Sequence, residues 1–150
     1  GKILSDFIDD LPFTLTSAQQ NAWQEIKRDM ESSYPMQRLL QGDVGSGKTI
    51  VAILSLIETV ANGYQGVFMA PTEILAEQHY LNLEKYLKPY GFNIRLLVGS
   101  TRKSEREEIE HKLKVGDIDL VIGTHALFQE SINYNKIGLI VIDEQHRFCV

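Results

Sequence analysis

Cysteine is almost absent from this chain. Cys149 stands alone among 150 residues, so no internal disulfide can form and a disulfide-stapled extracellular scaffold is excluded. No apolar run is long enough to cross a bilayer and no segment has the pattern of a secretory signal, so a cytoplasmic protein without a membrane partner is expected. Positive charge is also scarce. Lysine and arginine total 15 against 20 aspartates and glutamates, a net charge of −5, which removes the global footprint of a nucleic-acid binder and leaves only local contacts to phosphate. His79 and His111 lack metal-ligand partners at suitable spacing and read as surface residues. There is no internal repeat and no low-complexity linker, so residues 1–150 read as one domain. The 43% of hydrophobic residues beside 23% charged ones is enough for a packed core and excludes a disordered chain.

What is present is a phosphate-binding pattern. Residues 42–49 read Gly42-Asp43-Val44-Gly45-Ser46-Gly47-Lys48-Thr49, a complete G-x-x-x-x-G-K-[ST] loop between an apolar strand-like run and a helical run. Gly42, Gly45 and Gly47 let the backbone wrap close to an anion with its N–H groups pointing inward. Lys48 then reaches the β- and γ-phosphates as a point charge, and the Thr49 hydroxyl is suited to Mg²⁺. The pattern implies binding of a nucleoside triphosphate, ATP by expectation.

The surrounding elements fit that loop. Residues 16–31 predict a helix with Ala18, Ala22, Ile26 and Met30 on one face, opened by a Thr16/Gln19 capping box. Strands are expected at 38–41, 66–70, 93–98, 118–122 and 138–142, short and apolar on both faces as in a buried parallel sheet. Helices are expected at 48–62, 72–88 and 104–115, the last opened by Ser104 with Glu107. Such βαβα alternation implies an α/β fold, a doubly wound parallel sheet with helices on both faces and ligands above the carboxyl ends of the strands.

The strand at 138–142 runs straight into Asp143-Glu144-Gln145-His146. An acid at the tip of a buried strand beside a phosphate loop binds Mg²⁺, and the next acid orients and deprotonates the attacking water. Asp143 is assigned to the metal and Glu144 to the base. Gln145 and His146, next in line, are placed to sense the γ-phosphate.

Taken together, the phosphate loop, Ala70-Pro71-Thr72-Glu73-Ile74-Leu75-Ala76-Glu77-Gln78-His79, Ile122-Gly123-Thr124-His125-Ala126-Leu127 and Asp143-Glu144-Gln145-His146-Arg147-Phe148 resemble the ordered motifs of the first motor domain of the RecG family of superfamily 2 DNA helicases. The resemblance spans residues 11–148. It implies a RecA-like domain that couples ATP hydrolysis to remodelling of branched DNA, stalled forks and Holliday junctions, in bacterial repair and recombination. It also implies a base-reading role for Gln19, and DNA-backbone contacts at Pro71, Thr72 and Glu73, at Gly99 and Ser100, and at Thr124 and His125. Helix N-terminal amides and hydroxyls bind phosphate without adding net charge, so these contacts are compatible with −5. Thr72 also reads as a helix cap, and Arg102, Lys103 and Arg106 are interleaved with glutamates as on a solvated helix face.

Three further readings stay open: the motor of a transcription-repair coupling factor, a small P-loop kinase and a non-catalytic nucleotide-binding module. The coupling factor typically carries a bulky residue at the position of Ser46 and a second glutamate at that of Gln145, and the Asp-Glu-Gln-His tetrad argues against a kinase. RecG helicases usually continue Arg-Phe-Gly-Val where this chain has Arg147-Phe148-Cys149-Val150. By the same resemblance, the second motor domain, the wedge domain and one central strand are expected to be missing by truncation, leaving the isolated chain inactive. That strand's slot would separate residues 38–41 from 139–142 by about twice the usual 4.7–4.9 Å.

Overall fold

The computed structural model describes residues 2–32, 38–42 and 49–144. Its elements follow in the order α1 (Lys2–Asp10), α2 (Ser17–Ser32), β1 (Arg38–Gly42), α3 (Thr49–Ala61), β2 (Gln65–Met69), α4 (Glu73–Leu87), β3 (Ile94–Leu97), α5 (Lys103–Val115), β4 (Leu120–Gly123) and β5 (Ile137–Asp143). One short 3-10 turn, Lys88–Tyr90, ends α4, and another, His125–Phe128, follows β4. The five strands are all parallel, in the order β1-β5-β2-β4-β3.

That order decides which face each helix covers. The crossovers β1-α3-β2 and β2-α4-β3 advance across the sheet in one direction, whereas β3-α5-β4 returns. Crossovers between parallel strands are right-handed, so α3 and α4 share one face and α5 takes the other. The core is divided accordingly. Phe68, Leu120, Ile122, Leu139 and Val141 pack with α1, α3 and α4, while Val67, Leu97 and Val121 pack with Ile109 and Leu113 of α5.

Helix α3 is the most enclosed helix among the described residues: ten consecutive residues, from Ile50 to Thr59, are buried. It touches the sheet on one side and α1 and α2 on the other, which explains apolar residues all round. Two of its buried polar residues are satisfied locally, since the Ser55 and Thr59 hydroxyls donate to the carbonyls of Val51 and Ser55, each at 2.8 Å. Trp23 of α2 is buried against the same cluster, a core role rather than a base-stacking one. Helix α1, not anticipated from the sequence, packs Leu4 and Phe7 inward; the Phe7 ring meets Tyr86 and Tyr90 edge-on at 6.2 and 6.0 Å.

Two expectations are corrected. There is no empty slot between residues 38–41 and 139–142: β1 and β5 pair directly, from Arg38 opposite Leu139 to Gly42 opposite Asp143. A slot would leave two buried rows of unpaired backbone groups at about 1–3 kcal/mol for each unmet group, and direct pairing satisfies both rows. The Ser104/Glu107 box also fails. Helix α5 starts one residue earlier, with Arg102 at its N-cap and no side-chain cap, which moves Ser104 inside the first turn; Glu105 there offsets the helix dipole instead. Two of the basic residues nearby are engaged: Arg106 donates to Val98 O at 3.0 Å and to Gln129 at 3.2 Å, and Arg95 pairs with Glu105 and Glu108 at 3.5 and 3.4 Å.

Candidate functional site

Several of the expected site residues lie where strands end. Gly42 closes β1 opposite Asp143, the last residue of β5, so the first glycine of the phosphate loop and the first acid of the tetrad are neighbours on adjacent strands. Thr49 opens α3 and is half-buried. Asp43, Val44, Gly45, Ser46, Gly47 and Lys48, as well as Gln145 and His146, fall outside the described residues. A threonine hydroxyl and an aspartate carboxylate are hard oxygen donors, the set that suits Mg²⁺, which keeps most of its shell as water and phosphate. Among the described residues no group of three or more His, Cys, Asp or Glu is placed to hold a metal ion by itself.

Asp143 is 2% exposed, and a carboxylate so buried needs a partner. His79 of α4 is one: its Nε2 lies 2.8 Å from Asp143 Oδ2. A carboxylate offers only lone pairs, so the imidazole Nε2–H donates. The ring also rests on Phe68 of β2, centroids 4.6 Å apart. The surface reading of His79 is therefore corrected; its side chain is 14% exposed. A signal existed, because position 79 follows Ala76 by three and precedes Leu83 by four, and both are buried on the inward face of α4. Glu144, the next residue, is half-buried.

A second group gathers at the carboxyl ends of β2, β4 and β3. Pro71 is exposed in the turn after β2, and Thr72 caps α4 with φ −135° and ψ 158°, its Oγ1 accepting from Leu75 N at 3.2 Å. Glu73 Oε1 accepts from the Ser100 hydroxyl at 2.7 Å, which joins the β2 turn to the β3 turn carrying Gly99 and Ser100. A carboxylate cannot bind phosphate directly, so in this geometry Glu73 orients Ser100. Between them Thr124, 3% exposed, leads from β4 into the 3-10 turn that begins with exposed His125.

At the start of α2 the capping box is formed in both directions: Thr16 N donates to Gln19 Oε1 at 2.9 Å and Gln19 N to Thr16 Oγ1 at 3.1 Å. Beside it a cleft of about 400 Å³ is lined by Leu11, Pro12, Phe13, Leu15 and Gln20 among others. Phe13 is 47% exposed there.

Several known proteins are similar to this chain. The RecG helicase of Thermotoga maritima is 52% identical over 150 residues, all of this chain but 19% of that protein. A structure of RecG bound to a three-way DNA junction superposes with a TM-score of 0.87 at 52% identity, covering 99% of this chain and 20% of the larger one. The DNA-bound DUF1998 helicase MrfA shares the fold at a TM-score of 0.62 and 17% identity, over 85% of this chain and 17% of its own. The chain thus spans about one fifth of the RecG relatives it matches. No helix among the described residues is long and apolar enough to cross a membrane. Residues 16–150, from the capping box through the acidic tetrad, match the DEAD/DEAH box helicase family, and with the phosphate-loop strand and the acid strand paired side by side in a parallel sheet the chain belongs to that family.

Proposed function

We propose that this chain is the ATP-binding motor domain of a RecG-type DNA helicase that remodels branched DNA, such as stalled forks and Holliday junctions, in the bacterial cytoplasm. The observation that carries the reading is the pairing of Gly42 with Asp143, which brings the start of the phosphate loop beside the acidic tetrad. Residues Gly42, Asp43, Val44, Gly45, Ser46 and Gly47 would cradle the phosphates through backbone N–H groups, with Lys48 on the β- and γ-oxygens. Thr49 and Asp143 would hold Mg²⁺, which when bound neutralises phosphate charge. Glu144 orients and deprotonates the attacking water, and Gln145 and His146 register the γ-phosphate. Gln19 reads the base from the start of α2, with Thr16 holding its side chain in one orientation. Pro71, Thr72, Glu73, Gly99, Ser100, Thr124 and His125 form the face for the DNA backbone. A second motor domain and a wedge domain of a longer chain would complete the machine.

Titration calorimetry tests the nucleotide half. The chain should bind Mg-ADP, and Lys48→Ala should weaken that binding by at least about tenfold, the worth of a charge-assisted hydrogen bond of roughly 1.5–3 kcal/mol. Equal affinity in the two proteins removes the reading. For the DNA half, few cations face phosphate, so fluorescence anisotropy should give a dissociation constant near or above about 10⁻⁴ M at physiological salt, alike for single strands, duplexes and forks. A tight fork preference would put junction recognition in this domain instead of the wedge.

A further inference from the structure

The geometry points to His79 as a positioning residue for the metal-binding acid, a role that rests on the assignment of Asp143 to Mg²⁺. Three observations converge on it. Its Nε2 lies 2.8 Å from Asp143 Oδ2, across a sequence separation of 64 residues and between two different elements, α4 and β5. Its ring is braced on buried Phe68 at 4.6 Å, which limits rotation about the side-chain bonds. The carboxylate it meets is itself buried, with 0% side-chain exposure, so Oδ2 depends on protein donors such as His79 for its hydrogen bonds.

Holding Oδ2 has a chemical consequence. A carboxylate that serves a hard cation must present one oxygen in a fixed direction, and a donor locked on its other oxygen removes the alternative rotamers. Partners of this kind, one bond removed from the metal, commonly change metal affinity by about 10–100-fold when lost. The donor here comes from α4, whose first turn carries Thr72 and Glu73 and whose Glu73 is bonded to Ser100. A shift of α4 at that end would therefore be felt at the acid through His79.

The test is a magnesium titration of the 150-residue chain with the fluorescent nucleotide mant-ADP, with melting curves run on every variant. His79→Phe keeps a ring on Phe68 and removes the donor; His79→Gln places an amide N–H near the position of Nε2. His79→Phe should raise the magnesium concentration needed for tight nucleotide binding by about tenfold or more, and His79→Gln should restore most of it. On an Asp143→Asn background His79→Phe should add nothing, because the two act as one unit. If His79→Phe does not fold, His79→Leu, which also lacks the donor, supplies the same comparison alone and on the Asp143→Asn background. The same magnesium dependence in wild type and His79→Phe, or a full additional loss on the Asp143→Asn background, overturns the proposal. Nucleotide binding by the wild type that ignores magnesium overturns the Asp143 assignment beneath it, and a wild type that binds no nucleotide overturns the broader reading; both are visible before any His79 variant is compared.

Discussion

Gly123→Ala should unfold this protein at ordinary temperature or leave it severely weakened, with its melting point lowered by about 10 °C or more. A Cβ at position 123 would stand 1.9 Å from the carbonyl oxygen of Leu97 and 3.0 Å from the Leu127 side chain. The first of these atoms is backbone, so no rotamer change relieves the overlap; β3 and β4 have to part where Leu97 pairs with Gly123. Overpacking of a core side chain costs roughly 1–3 kcal/mol, and a clash with main chain exceeds that range. At about 2–4 °C per kcal/mol for a domain of this size, the melting shift follows. The control is Gly63→Ala, where nothing lies within 4 Å and only the positive φ of 86° is strained. A melting point for Gly123→Ala within a few degrees of that control would show that the β3–β4 register is looser than described.

The second large effect is expected at Gln65. This side chain is 5% exposed and uses both ends of its amide. Nε2 donates to the carbonyls of Leu113 and Ile118, each at 3.0 Å, and Oε1 accepts from the N–H groups of Asn135 and Lys136 at 2.8 and 3.0 Å. One residue thereby ties the end of α5, the approach to β4 and the approach to β5 to the first residue of β2. Gln65→Leu preserves most of the volume and strips those four bonds. The Leu113 carbonyl and Asn135 N–H keep their bond to each other at 3.1 Å, and the buried Ile118 carbonyl loses its partner at about 1–3 kcal/mol, so with the other lost bonds urea unfolding should show a loss of about 2 kcal/mol or more. Gln65→Glu separates charge from geometry, since it keeps an acceptor for Asn135 and Lys136 but turns acceptors toward the Leu113 and Ile118 carbonyls. It should be no more stable than Gln65→Leu.

Much of this architecture was legible before any coordinates. The five strands were readable because a sheet covered on both faces demands short runs without polar alternation, and α4 because Thr72 both caps it and follows a proline turn. What was not legible had physical causes. Helix α1 is only nine residues long, too short to persist without docking, and although Ile3, Leu4, Phe7 and Ile8 have helical spacing, what decides the element is the Phe7 contact with Tyr86 and Tyr90. The empty slot was inferred by resemblance, and resemblance is silent about how two facing strand edges behave when nothing stands between them. The Asp143 partner was hidden for a different reason: spacing finds ligands on one segment, whereas His79 reaches the acid from another helix. In the site itself, strand-end positions were foreseeable because a parallel sheet gathers its carboxyl ends on one edge. The bond between Glu73 and Ser100 was not, since β4 intervenes between the strands that carry them.

The sheet order also has a consequence for how the protein is made. Strand β1 is first along the chain and sits at one border of the sheet, and the strand it pairs with is the fifth, Arg38 meeting Leu139 across about a hundred residues. During synthesis, β2, β4 and β3 can find one another as soon as residue 123 has left the ribosome, but β1 has nothing to join until β5 emerges. Contacts that close such long loops form late and slowly. The start of the phosphate loop at Gly42 and Asp143, carried on β5, are thus brought together only when β5 pairs with β1, so a nascent chain that has not yet made β5 cannot bring these two residues side by side.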